Sequence, residues 1–226
     1  MNHVPFAILF DMDGTLLQTE KLAVPAFQQT FEWLQQNGLW EKEIPGPDQL
    51  TNVLGMTLEK LWETLLPGTS QETKEMADRI MLEKELELLK EGVTDLYPGV
   101  RETLTELKQR GIQLFTASNG LEKYIDAVCD HFELKPLFTD LYSAGRFQTK
   151  SKVDLVAMVI RDYNIQQTVM VGDRHSDVEA GKMNGLFTIG CDFGFAKPGE
   201  LDGADIIVRK FSQITQVLPT TFFEQT

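Results

Sequence analysis

Phe6-Ala-Ile-Leu-Phe10 is an unbroken apolar run of strand length that stops abruptly at Asp11-Met-Asp-Gly-Thr15. Continuous rather than alternating apolarity is the pattern of a strand buried on both faces, as in a parallel sheet. From about Gln18 to Asp95 the apolar period becomes helical. Ala23, Phe27, Phe31 and Leu34 recur at helical spacing ahead of Gly38. Leu50, Val53, Leu54, Leu58, Leu61, Trp62, Leu65 and Leu66 form a second group around Gly55, stopped by Pro67-Gly68. Ser70 to Gly92 forms a third, with Ile80, Leu82, Leu86, Leu88 and Leu89, and with Ser70 as a candidate N-cap.

Beyond Tyr97-Pro-Gly99 helix and strand patterns alternate. A helix is predicted from about Val100 to Arg110, closed by Gly111, then a strand over Ile112 to Ala117. Ser118-Asn-Gly120 leads into a helix ending near Phe132, and a short strand follows near Leu141. Lys152 to Tyr163 reads as helix, Thr168 to Val171 as strand, and the stretch after Asp177 as a helix reaching Gly185. Short strands at Phe187 to Gly190 and Ile206 to Val208 complete the pattern. Such alternation predicts an α/β fold with a doubly wound parallel sheet. Residues 1–17 and 96–226 would form that core domain, and residues 18–95 an inserted α-helical cap domain.

Composition narrows the chemistry. The 226 residues carry 34 acidic and 21 basic side chains, a net charge of −13. That balance argues against a nucleic-acid backbone or an anionic membrane as partner. An anionic substrate would therefore need a local source of positive charge, for which a metal ion is the obvious candidate. Fifteen acidic against seven basic residues fall between Gln18 and Asp95, which gives no encouragement to a highly anionic leaving group. Cys129 and Cys191 make no disulfide framework and read as two buried thiols. The N-terminal apolar stretch is too short for a signal-peptide core, and no run approaches a membrane span. A cytoplasmic location is expected.

In an open parallel sheet, ligands bind beyond the carboxyl ends of the strands. Three distant segments place polar residues there: Asp11 and Asp13 after the first strand, Ser118 and Asn119 after the second, Asp173 after a later one. Gly14 supplies the backbone freedom for the turn that lets both early carboxylates face one pocket. Three carboxylates together repel one another unless a hard divalent cation with oxygen ligands neutralises them, and Mg2+ suits one or two carboxylates plus a substrate phosphate.

With these residues in place, the sequence closely resembles the haloacid dehalogenase-like hydrolase superfamily, in its phosphoglycolate phosphatase-like branch with a helical cap. Asp11-Met-Asp-Gly-Thr15 is similar to its first signature, Ser118 after an apolar strand to the second, a lysine opening a later helix to the third, and Gly172-Asp-Arg-His-Ser-Asp177 to the fourth. Tyr97-Pro-Gly99 resembles the re-entry from cap to core. The resemblance implies an Mg2+-dependent phosphatase of a small phosphomonoester working through an aspartyl-phosphate. Asp11 would be the nucleophile and Asp13 the acid and base. Asp11, Asp13 (through its carbonyl) and Asp173 would hold the metal. Ser118, Asn119 and the lysine would bind the phosphoryl group, and Asp177 could orient the metal's water ligands. Two lysines flank Ser151: Lys152 fits a Lys-x-acid form with Asp154, whereas Lys150 fits the Lys-Pro form, and Lys152 is favoured. A monomer or weak dimer is implied.

Two other activities remain open at this point. Phosphosugar mutases share the four signatures, although Thr15 stands where that subgroup commonly has valine. A phospho-aspartate switch module shares the acidic site but is about half as long and lacks the insertion. Asp13 disfavours dehalogenation and phosphonate hydrolysis. His3, His131 and His175 show no metal-triad spacing, and Arg174 is a candidate partner for a nearby carboxylate. Trp33, Trp40 and Trp62 read as cap core, with a smaller chance that one lies at the substrate entrance. Gly55-Met56-Thr57 is a candidate specificity loop, and Phe222-Phe223 a docked or frayed tail.

Overall fold

The apolar run at Phe6–Phe10 forms the first strand, β1, and all five of its residues are buried. Its side chains alternate between two packing layers: Phe6, Ile8 and Phe10 join one cluster, Ala7 and Leu9 the other. Two-sided burial explains why this strand is apolar at every position. The computed structural model describes residues 6–194 and 196–219. His3 and Phe222-Phe223 therefore lie outside the described residues.

After β1 come four helices, α1 (Glu20–Gln36), α2 (Pro47–Thr51), α3 (Leu58–Leu65) and α4 (Gln71–Glu91). The chain then alternates through α5 (Val100–Gln109), β2 (Gln113–Ser118), α6 (Glu122–His131), β3 (Asp140–Ser143), α7 (Ala144–Phe147), α8 (Lys152–Asp162) and β4 (Gln167–Gly172). It ends in α9 (His175–Met183), β5 (Phe187–Cys191), β6 (Ile206–Val208) and α10 (Ile214–Val217). The sheet is wholly parallel, in the order β3-β2-β1-β4-β5-β6. Helices α8 and α9 cover one face with Leu155, Val156, Val159 and Ala180. On the other face α5, α6 and α10 contribute Leu104, Leu107, Val128 and Ile214. This is the doubly wound α/β arrangement expected from the alternation.

The second apolar group of the insertion forms two short helices on either side of Gly55. Pro47 is compatible with the first turn of α2, and the chain then breaks at Gly55, whose φ of 82° only glycine adopts readily. Ser70 caps α4 as expected, accepting from Thr73 N at 3.1 Å, and Gly92 closes it in the left-handed conformation. Phe27 packs edge-on to Trp62, and Phe31 to Trp40. The two segments that join these helices to the sheet run side by side. Gln18 N donates to Asp95 O at 2.9 Å, Thr94 Oγ1 to Gln18 O at 2.9 Å, and Tyr97 N to Leu16 O at 2.9 Å. Both cysteines are buried and free. Among the described residues no helix is long and apolar enough to cross a membrane.

Candidate active site

The sheet order puts β1 between β2 and β4, so the carboxyl ends of these three strands meet. Asp11, Ser118 and Asp173 stand at or just beyond those ends, although more than a hundred residues separate the first from the second. Asp11 is held by its own N–H on Val171 O at 2.9 Å. Gly14, with φ of 83°, turns the chain so that Asp13 faces the same space.

Of the two lysines flanking Ser151, Lys152 is the one that faces the acidic residues. Ser151 caps α8 by accepting from Asp154 N at 3.1 Å, which starts the helix with Lys152 turned inward. Its ammonium donates to Asp11 Oδ1 at 2.7 Å and to Asp177 Oδ1 at 2.5 Å, with all three side chains buried. Lys150 is exposed. Asp177 also accepts from Arg174 N through Oδ2 at 2.9 Å. Both its oxygens are thus engaged, and it acts first as a clamp on the lysine.

Asp173 is fully buried and accepts from Thr15 Oγ1 at 3.2 Å through one oxygen. Its other oxygen, and Asp11 Oδ2, are buried without a hydrogen-bond partner among the described residues. Asp11, Asp173 and Asp177 offer carboxylate oxygens that all lie within 4.8 Å of one another. Three carboxylates face one lysine, so the buried charge does not balance. Burial and the neighbouring Asp11 and Asp177 push Asp173 well above the usual carboxylate range. Burial and Asp11 push Asp177 up to about 6. Asp11 is also raised by burial, with Lys152 pulling against it. For Lys152, burial opposes the charge, and Asp11 and Asp177 more than offset it, so its pKa rises. Orphaned oxygens and surplus negative charge fit a hard divalent cation.

Asp13 occupies the other side of this space. Its Oδ1 accepts from Thr19 Oγ1 at 2.7 Å and from Tyr124 OH at 2.8 Å. Burial raises its pKa, and these two hydrogen bonds oppose the rise. Ser118 is buried and accepts from Gly120 N at 3.1 Å, which leaves its hydroxyl proton to donate. Asn119 reaches the helical insertion, its Nδ2 donating to Gly55 O at 3.0 Å. Arg174 does the same from the β4 side, donating to Leu54 O at 2.9 Å and pairing with Glu200 at 3.2 Å. Two core side chains thereby grip the Leu54-Gly55 turn by its carbonyls. His131 and His175 are exposed.

Asp11, Asp13, Asn119, Tyr124 and Lys152 line a cavity of about 690 Å3, open mouth included, whose other wall comes from the helical insertion. Gly55 and Met56 line it, as does Trp62, while Trp40 packs away from it. Sequence reasoning missed Thr19, Tyr124, Asp78 and Glu85. The first two carry no signature. The acids had a faint one: Asp78, Leu82 and Glu85 share a helical face with Met81, so carboxylates sit where an amphipathic helix should be apolar.

Comparison with known proteins places this geometry in a family. Residues 8–191 match the haloacid dehalogenase-like hydrolase family model. The chain is 30% identical over 194 residues to the phosphoglycolate phosphatase of Aquifex aeolicus, covering 84% of this chain and 86% of that one. It is 28% identical over 217 residues to protein CbbY of Cereibacter sphaeroides, covering 92% and 93%. Among solved structures, a predicted phosphoglycolate phosphatase from Haemophilus somnus superposes with a TM-score of 0.83 at 18% identity, covering 94% of this chain and 97% of that one. A CbbY mutant from Rhodobacter sphaeroides in complex with xylulose-(1,5)bisphosphate gives 0.77 at 25% identity, covering 92% and 95%. The chain belongs to the haloacid dehalogenase-like hydrolase family. Within it the chain falls in the phosphoglycolate phosphatase-like branch and is a phosphatase, a hydrolase of phosphate esters.

Proposed function

We propose that this protein is a Mg2+-dependent phosphatase of small phosphomonoesters that works through a phosphoaspartate on Asp11. One observation carries the reading: Asp11 and Asp13 face the same cavity with different partners. Asp11 is held beside an ammonium, with one oxygen unengaged. Asp13 meets only uncharged donors, and desolvation raises its pKa so that it keeps a proton more easily.

Asp11 Oδ2 attacks phosphorus while the bond to the leaving oxygen breaks, and the Asp13 carboxyl gives that oxygen its proton. Asp13, now a carboxylate, takes a proton from water as the water attacks the phosphoaspartate and frees inorganic phosphate. Lys152, the Ser118 hydroxyl and the Asn119 N–H hold the phosphoryl oxygens and stabilise their charge. Asp177 fixes Lys152, and Thr19 and Tyr124 fix Asp13. Asp11, Asp173 and the Asp13 carbonyl would hold Mg2+, which when bound supplies the positive charge that lets an anionic carboxylate approach an anionic ester. Residues 18–95 act as a cap domain that excludes water during the first step, in a cytoplasmic monomer or weak dimer.

The reading is tested by phosphate release from a panel of phosphorylated metabolites. Turnover should require Mg2+, vanish in EDTA and return on adding the metal. No release from any ester with Mg2+ present would remove the proposal. Tyr124→Phe probes the acid. Losing one donor to Asp13 Oδ1 should lower kcat about tenfold with KM little changed. A rise in KM alone would instead make Tyr124 a substrate-binding side chain.

A further inference from the structure

The wall of the cavity that the helical insertion supplies has a consistent chemistry. Asp78 and Glu85 belong to its α4 part, while Phe27, Leu61 and Met81 supply its apolar part. Lys152 is the single basic side chain among the lining residues, and Asp11 and Asp177 already hold it. Trp62 Nε1 donates to Asp78 Oδ1 at 3.0 Å, and Tyr124 OH is spent on Asp13. Among the lining side chains of the helical insertion, those that stay open are acceptors. Asn119 is 9% exposed, and its Oδ1 has no partner. Glu85 makes no hydrogen bond or ion pair with any described residue. Burial, Asp13 and Asp78 push its carboxyl well above the usual range, a cost to its charged form that a bound cation would relieve.

A leaving group that carries a carboxylate or a second phosphate would meet these acceptors with no cation to receive it, a repulsive and desolvated contact. An ammonium meets the opposite situation: two carboxylates and an amide oxygen in an apolar enclosure, where a charge-assisted bond is strong. We infer that the preferred substrate is the phosphate monoester of an amino alcohol, its ammonium held between Glu85 and Asp78 and its carbon skeleton against Phe27 and Met81. This inference rests on the phosphatase reading above and departs from the proteins the chain resembles. Two of those are named for, or complexed with, phosphoglycolate and xylulose-(1,5)bisphosphate, whose leaving groups are anionic.

Three esters of similar size separate the possibilities: O-phosphoethanolamine, propyl phosphate and 2-phosphoglycolate, each with Mg2+. The kcat/KM of phosphoethanolamine should exceed that of propyl phosphate about tenfold and that of phosphoglycolate about a hundredfold. In Glu85→Gln, a near-isosteric change at a side chain with no bonds to break, the ratio of phosphoethanolamine to propyl phosphate should fall toward one. Glu85→Lys should invert the ranking in favour of phosphoglycolate. Equal turnover of all three, a preference for phosphoglycolate in the unaltered protein, or a ratio unmoved by Glu85→Gln would each overturn the inference while leaving the phosphatase intact. If none of the three, nor any ester of the wider panel, is hydrolysed, the phosphatase reading and this inference fall together.

Discussion

Asp11→Asn abolishes turnover, with an expected loss of about ten-thousand-fold or more in kcat. The amide keeps the shape of the side chain and can still accept from Lys152 through Oδ1. What it lacks is the second oxygen, the one buried without a partner, and with it the nucleophile. The measurement has two arms. Steady-state phosphate release should vanish in the variant. Mass spectrometry of unaltered enzyme quenched in acid during turnover should find phosphate on the peptide containing Asp11, and none anywhere in the variant. Residual activity within tenfold of the unaltered enzyme would mean that water attacks the ester directly and that Asp11 only helps to hold the metal.

The second large effect belongs to Lys152→Met. Removing one partner of a buried ion pair leaves an uncompensated charge, a loss of about 3–5 kcal/mol. Here Asp11, Asp173 and Asp177 would all be left facing one another. Thermal or urea unfolding should show that deficit at pH 8, and Mg2+ should restore part of it. Its pH dependence has a definite sign. A carboxyl whose folded pKa is raised costs nothing below its unfolded pKa, near 3.8, and its full penalty appears above its folded value. That value is already about 6 for Asp177 with the lysine present. Without the lysine it rises further, so the deficit should shrink as pH falls from 8 toward 5. Activity should drop at least about a hundredfold. Lys150→Met, at an exposed side chain, should be near neutral in both measurements. A deficit of similar size at Lys150 would reverse the assignment of the two lysines.

The parallel sheet was legible because its strands are buried on both faces. Phe6–Phe10 and Thr168–Val171 need no partner context to read as interior strands. The meeting of Asp11, Asp13, Ser118 and Asp173 at one edge was legible because polar turns follow three strand ends, and the sheet order brings those ends together. The lysine was only half legible. Lys150 and Lys152 share a neighbourhood and a charge, and what separates them is the cap at Ser151, which decides which one faces inward. Tyr124 escaped altogether. It acts on a residue 111 positions away, and a tyrosine on the buried face of a helix looks like packing until its hydroxyl is traced. Glu85 was hidden for the opposite reason: α4 is rich in acids, and one carboxylate on the wrong face weakens the apolar stripe without announcing a purpose.

The paired segments at the root of the helical insertion have an architectural consequence. Gln18 and Asp95 are hydrogen-bonded neighbours, as are Leu16 and Tyr97, so the chain departs from the sheet and comes back at nearly one point. Closing a loop costs entropy that grows only slowly with its length, and here the ends are tied together whatever lies between them. To the sheet, everything from α1 to α4 is a single tethered excursion. Its length, fold and wall chemistry can drift, or be exchanged wholesale, without changing the order in which the strands pair. On the proposed reading, the part of the molecule that selects the ester can therefore evolve at a different tempo from the part that breaks it.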